Sequence, residues 1–249
     1  MIGDGATDWT ASEGAEPVEQ RVDPRAIMDW PRFVRAWAQA YDGYDLRHAG
    51  PVTRWWTRWA YKCGVWMTRR GATAAALTAI ATVAAVFVPL TAAGGGRWAL
   101  VAGVFVVIGV AADAVGRAAS VLLGRAVQRE AFYRSLAERI SEACWLFAAL
   151  LLGAAPVLVL AGLGLIAAHE YVRARATVSG LRPAGAATIG DRTLRVVATL
   201  VFLLIAGLAG PVHADLAAGT STLVLALWVL LALFGFVQLL SIVRKALVS

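Results

Sequence analysis

The stretch GATAAALTAIATVAAVFVPLTAAGGG, residues 71–96, runs without a single charge. A helix needs about 20 predominantly apolar residues to cross the hydrocarbon core of a bilayer, and this run exceeds that length. Arg69-Arg70 stand before it and Arg97 after it, with Gly94-Gly95-Gly96 forming a short turn between two apolar segments. Further uncharged runs lie at 98–112, 143–168, 196–214 and 216–243. The 143–168 run contains Gly153-Ala154-Ala155-Pro156, a turn signal that divides it into two helices, each taking a charged turn from its flank. The spacing predicts six membrane helices, over 71–93, 97–120, 132–153, 156–175, 194–212 and 220–243. The expected fold class is all-α: a polytopic membrane protein of six transmembrane helices preceded by an interfacial amphipathic helix.

Composition agrees with a bilayer as solvent. The chain of 249 residues is 59% hydrophobic and 16% charged, with a mean hydropathy of +0.68. Soluble domains are about half apolar and about one quarter charged. A net charge of +7 and a pI near 10.1 would suit nucleic acid, but the basic residues stand at the ends of apolar runs, where membrane topology needs them. With six spans and the N-terminus inside, 22 of the 23 Lys/Arg fall on the cytoplasmic side and Arg97 alone falls outside. The expectation is a multi-pass protein of the inner (plasma) membrane, with both termini cytoplasmic, membrane lipids as partners and no nucleic acid. Cys63 and Cys144 have no metal-binding spacing. The first 25 residues lack an apolar core, so no signal peptide is expected.

Nine of the 16 Asp/Glu fall in residues 1–50. Residues 1–45 therefore read as a polar, largely disordered tail. Residues 46–70 read as an interfacial helix, because Trp55, Trp56, Trp59 and Trp66 alternate with Arg54, Arg58, Lys62, Arg69 and Arg70. Indoles favour headgroup depth and cations favour anionic lipid. Residues 71–249 form the membrane domain.

Charges inside membrane helices are costly, so each one is a functional candidate. Asp113 lies toward the end of the second span. Arg134, Glu138 and Glu142 recur at four-residue spacing on the third, which places them on one helix face. His169-Glu170 end the fourth, followed by Arg173 and Arg175. Together these residues predict a polar cavity flanked by arginines able to hold phosphate bidentately. The chain contains no phosphate-loop, HExxH or GxSxG pattern.

Several segments carry a family resemblance. They are GRWAL at 96–100, LLGRA at 122–126, SLAERISEACW at 135–145, HEYVRARA at 169–176 and VQLLSIVRKAL at 237–247. In their order along roughly residues 45–247 they resemble actinobacterial members of the CDP-alcohol phosphatidyltransferases, membrane enzymes that displace CMP from a CDP-linked lipid or alcohol. That family's signature is D-x-x-D-G-x-x-A-R-x8-G-x3-D-x3-D, whose four aspartates hold divalent metal against the diphosphate. In this chain Asp113 matches the first aspartate and Glu138 replaces the fourth, while Gly116 and Arg134 stand at the other two. Arg117 falls where the signature glycine is expected.

Three functional expectations follow. In the first, the chain is a degenerate relative that does not release CMP and acts as a binding or scaffold partner in lipid metabolism. It would be a homodimer, or a heterodimer with an active paralogue, and would need no metal or cofactor. In the second, a divergent enzyme acts on a lipid phosphate, diphosphate or isoprenoid. Asp113, Glu138 and Glu142 would then be its acid–base groups, and Arg117, Arg134, Arg173, Arg175 and Arg192 its phosphate anchors. In the third, an active phosphatidyltransferase keeps an altered metal site for Mg or Mn. Whichever holds, Arg134 is expected to pair with Asp113 or Glu138, and Arg173 or Arg175 to turn inward beside Arg192 or Arg195.

Overall fold

A computed structural model describes residues 28–41, 44–124, 128–180, 192–210 and 214–248. These residues fold into eight helices without a strand. They are α1 (Trp30–Ala40), α2 (Pro51–Arg69), α3 (Ala74–Ala92), α4 (Trp98–Leu122), α5 (Gln128–Leu151), α6 (Pro156–Val178), α7 (Arg192–Ala209) and α8 (Ala214–Val248).

Local sequence explains the breaks. The Thr73 side chain caps α3 by accepting from the Ala76 amide at 3.2 Å. Gly95 and Gly96 turn the chain between α3 and α4 with φ of +61° and +45°. Gly153, at φ +90°, ends α5, and Pro156 opens α6 at a position where its missing N–H costs nothing.

Five helices are long and apolar enough to cross a membrane: α3, α4, α6, α7 and α8. The chain is thus a multi-pass membrane protein. Its burial pattern inverts that of a soluble bundle. The core contains Ala81, Ala84, Ala85, Ala99 and Ala102, whereas Ile80, Val83, Phe87, Val104 and Leu230 face outward. Small residues let backbones approach where lipid outside is as apolar as the interior. At Gly109 an added Cβ would sit 3.3 Å from the Ala81 carbonyl oxygen of α3. At Gly207 it would sit 2.6 Å from Leu100 of α4. The sequence-expected third span coincides with α5, but α5 carries Glu130, Arg134, Glu138, Arg139 and Glu142 along its first two thirds, which sets it apart from the other five.

The expected tail of residues 1–45 needs correction. Residues 30–40 are helical, with the Asp29 side chain accepting from the Arg32 amide at 3.1 Å and Pro31 in the first turn. Phe33 is fully buried, packed with Leu46, Ala60, Ala118 and Val121. Its ring lies 4.9 Å from that of Tyr61, whose hydroxyl donates to the Met28 carbonyl at 2.9 Å. The acidic flanks outweighed this aromatic stripe in the sequence. The disorder expected for residues 1–25 lies outside the described residues.

The second helix of the N-terminal region, α2, lies within residues 46–70. Thr57, Ala60 and Gly64 face inward, and a Cβ on Gly64 would meet Leu122 at 3.2 Å and Ala118 at 3.3 Å. Trp55 and Trp66 are exposed on the opposite side, with the Arg70 guanidinium 3.5 Å from the Trp66 ring centroid. Together α1 and α2 pack on the C-terminal half of α4, the half that bears the charges.

Candidate functional site: an ion-paired centre

Asp113 and Arg117 are four residues apart on α4 and share a face. Arg117 donates to Asp113 Oδ2 through Nε at 3.1 Å and through Nη2 at 2.8 Å. The same Nη2 reaches Glu138 Oε1 on α5, also at 2.8 Å. From α7, Arg192 Nη1 meets Asp113 Oδ2 at 2.9 Å and pairs with Glu138 Oε1. Two guanidiniums therefore bridge two carboxylates and tie α4, α5 and α7 together.

A second group continues from the first. Arg139 Nη1 lies 2.9 Å from Glu142 Oε2 and 3.3 Å from Glu170 Oε1 of α6, while its Nη2 lies 3.6 Å from Glu138 Oε2. Arg195 Nη1, from α7, donates to Glu142 Oε2 at 2.8 Å. The carboxylates are Asp113, Glu138, Glu142 and Glu170. The guanidiniums are Arg117, Arg139, Arg192 and Arg195. Four anions and four cations make the set formally neutral. Glu142 is the most enclosed, with 1% of its surface exposed. Burying charges is costly, and only close pairing with additional hydrogen bonds offsets it.

Arg134 does not take the expected place. Its Nη1 donates to the Tyr41 hydroxyl at 3.0 Å and its Nη2 to Ser120 Oγ at 3.0 Å, and Ser120 in turn donates to Glu130 at 2.9 Å. Asp113 and Glu138 are instead paired by Arg117 and Arg192. The reason is geometric. Arg117 follows Asp113 by one helical turn, which places its side chain between α4 and α5, while Arg134 lies one turn before Glu138, nearer α1. Burial pushes the Tyr41 phenol above its ordinary pKa, so it meets Arg134 as a neutral hydroxyl.

The arginines expected to hold phosphate divide into three groups. Arg117 and Arg192 are committed to carboxylates. Arg134 serves Tyr41 and Ser120. Arg173 and Arg175, near the end of α6, are both exposed, which corrects the expectation that one of them turns inward; Arg192 and Arg195 do. Gly116 is buried against α3, where an added Cβ would lie 3.4 Å from Leu77 Cβ.

Some participants escaped the sequence reading. Arg139 was counted for topology alone, and Arg195 was placed beside Arg192 without a carboxylate partner, yet Arg139 stands three residues before Glu142 and Arg195 three after Arg192, spacings that share a helix face. Tyr41 left no sequence signal, because it lies 93 residues from Arg134. Among the described residues, no group of three or more His, Cys, Asp or Glu is placed to hold a metal ion. In comparisons with known proteins, no family model matches the chain, and no curated protein matches it.

Proposed function

We propose that this chain is a membrane protein that resembles the CDP-alcohol phosphatidyltransferases but does not carry out metal-dependent release of CMP, and that it serves as a binding or scaffold partner in lipid metabolism. It would do so as a homodimer or beside an active paralogue. One observation carries the reading: the carboxylates that remain at the signature positions, Asp113 and Glu138, are held by Arg117 and Arg192 of the same chain.

The residues do not fit a Mg or Mn pair. Hard divalent cations take several oxygen ligands at once. Gly116 supplies none, Arg134 brings a cation, and the two surviving carboxylates already accept from guanidiniums. The set is neutral before any ion arrives, so a divalent cation would leave it with an uncompensated positive charge. The same arithmetic works against phosphate, since the enclosed guanidiniums are already matched. Such a centre braces helices and holds their spacing, which suits a partner-binding role better than turnover.

The proposed topology has six spans, with α5 as the sixth. Its apolar residues from Ala143 to Leu151 would continue through the membrane, and its charged part would lie inside the bundle against α4, α6 and α7. Both termini would be cytoplasmic, and α2 would rest at the headgroup layer of the plasma membrane through Trp55 and Trp66. In a Cys63→Ser, Cys144→Ser background, an impermeant thiol reagent should label Gly219→Cys from outside and leave Gly185→Cys unlabelled. The reverse pattern contradicts this topology.

The functional test is an assay of the purified chain with CDP-diacylglycerol, Mg and common alcohol acceptors. The expected result is CMP release no faster than in protein-free detergent. Turnover that EDTA abolishes, and that Asp113→Asn also abolishes, would restore the transferase reading. Crosslinking in native membranes should capture a second copy or a transferase paralogue. A strictly monomeric, uncomplexed chain would remove the scaffold role.

A further inference from the structure

We propose that the outer face of α2 binds anionic phospholipid headgroups in preference to zwitterionic ones. The proposal rests on the headgroup-layer placement of α2 given above, and adds the charge of the lipid that α2 meets there.

The helix carries Arg54, Arg58, Lys62 and Arg69 and no acidic residue. All four cations are exposed. Among the described residues, none of them meets a carboxylate. Arg58 lies instead over the Trp30 ring, 5.7 Å from its centroid. Inside the bundle the opposite holds, since Arg117, Arg139, Arg192 and Arg195 each pair with Asp or Glu. The charge of α2 is therefore unmatched within the described chain, and it faces outward.

Helical spacing sorts this surface into two rows. At about 100° per residue, Arg54, Arg58, Lys62 and Arg69 fall within an arc of about 80°. Val52, Trp55 and Trp66 fall within the adjoining arc of about 60°, with 76%, 66% and 55% of their surfaces exposed. Both rows lie away from Thr57, Ala60 and Gly64, the buried residues of the helix. The cationic row is about 22 Å long, at 1.5 Å of rise per residue. That length suits a surface of headgroups better than one small anion.

The two rows together select the partner. Nucleic acid or an acidic protein would satisfy the cations but leave Val52, Trp55 and Trp66 in water. A zwitterionic lipid surface would accept the indoles but offer four cations no net countercharge. An anionic leaflet meets both needs, with phosphates beside the cations and the acyl boundary beside the indoles.

The test places the full chain in nanodiscs of mixed phosphatidylcholine and phosphatidylglycerol. Each lipid is offered in turn as a probe with the same diazirine near its headgroup, and labelled peptides are mapped by mass spectrometry. Labelling of residues 51–69 by the phosphatidylglycerol probe should exceed that by the phosphatidylcholine probe at least about fivefold, the effect of one surface cation. Arg54→Gln, Arg58→Gln and Lys62→Gln together should bring the ratio near one. Arg244→Gln with Lys245→Gln removes two cations of α8 and should leave the ratio unchanged. Soluble glycerol phosphate should not compete. Circular dichroism checks the fold of each variant. Equal labelling by the two probes in the parent would overturn the proposal. So would a ratio unmoved by the triple variant, an equal drop in the α8 variant, or competition by glycerol phosphate. A nitroxide at Val52→Cys, in the Cys63→Ser, Cys144→Ser background, reports the placement of α2 separately. It should be more accessible to oxygen than to a water-soluble nickel chelate. The reverse would remove the headgroup placement and the proposal with it, whereas an interfacial nitroxide with equal labelling would remove the lipid preference alone.

Discussion

The two ends of α4 are held by different physics. Its N-terminal half places Ala99, Ala102 and Val106 in the apolar core and meets α7 through Gly207. Its C-terminal half places Asp113, Arg117 and Ser120 on one face and is held through shared protons and charge. At the apolar end each contact is weak and replaceable, so damage should scale with the volume changed. At the polar end each group is needed by two others, so damage should depend on whether charge is left unmatched.

The largest effect should therefore come from removing one charge. Arg117→Met leaves Asp113 and Glu138 one cation short, and should cost about 3–5 kcal/mol of stability. Replacing Asp113, Arg117, Glu138 and Arg192 together by Leu or Met should be much milder, because no buried charge remains unpaired in that group. Thermal unfolding of both variants in one detergent checks the contrast. A single variant no worse than the quadruple one would break it.

Steric damage at the apolar end should come next. Gly207→Ala puts a methyl against Leu100 and should cost about 1–3 kcal/mol, the usual penalty of overpacking. Gly164→Ala, with no atom within 4 Å of the added Cβ, should be neutral or slightly stabilising. Equal losses at both glycines would show that the helices do not meet as described.

Removing Arg134 should be milder than removing Arg117. Arg134→Met loses hydrogen bonds to Tyr41 and Ser120 and should cost about 1–3 kcal/mol. Tyr41→Phe should cost about 1 kcal/mol. A loss from Arg134→Met equal to that from Arg117→Met would restore Arg134 as the central cation.

The smallest effect lies outside the membrane helices. Asp45, between α1 and α2, is held at a pKa of about 2 by hydrogen bonds from Arg47. Because the folded pKa is depressed, its contribution is complete above the unfolded value near 4 and is lost as pH falls toward 2. Asp45→Asn should therefore differ from the parent in thermal unfolding at neutral pH and converge with it near pH 2.

The same contrast explains what the sequence made legible. Apolar length and turn residues located the five helices long and apolar enough to cross a membrane, because bilayer thickness acts on each segment by itself. Gly153 and Pro156 divided α5 from α6 for the same local reason. Charge inside the apolar runs identified Asp113, Glu138 and Glu142 as members of one cluster. Their pairing was not legible. Whether Arg117 or Arg134 meets Asp113 depends on the rotation of α4 and α5 about their axes, which packing against α1, α3 and α7 decides. The helix α1 was hidden by the acidic residues around it, although Phe33, Val34 and Trp37 have helical spacing.

The central claim is that guanidiniums, and not a divalent cation, neutralise Asp113 and Glu138. Titration of the purified chain with Mn²⁺, followed by electron paramagnetic resonance, tests it most directly. The account predicts no stoichiometric site in the parent protein and no difference between the parent and Asp113→Asn. A stoichiometric Mn²⁺ site in the parent, lost in both Asp113→Asn and Glu138→Gln, would contradict it.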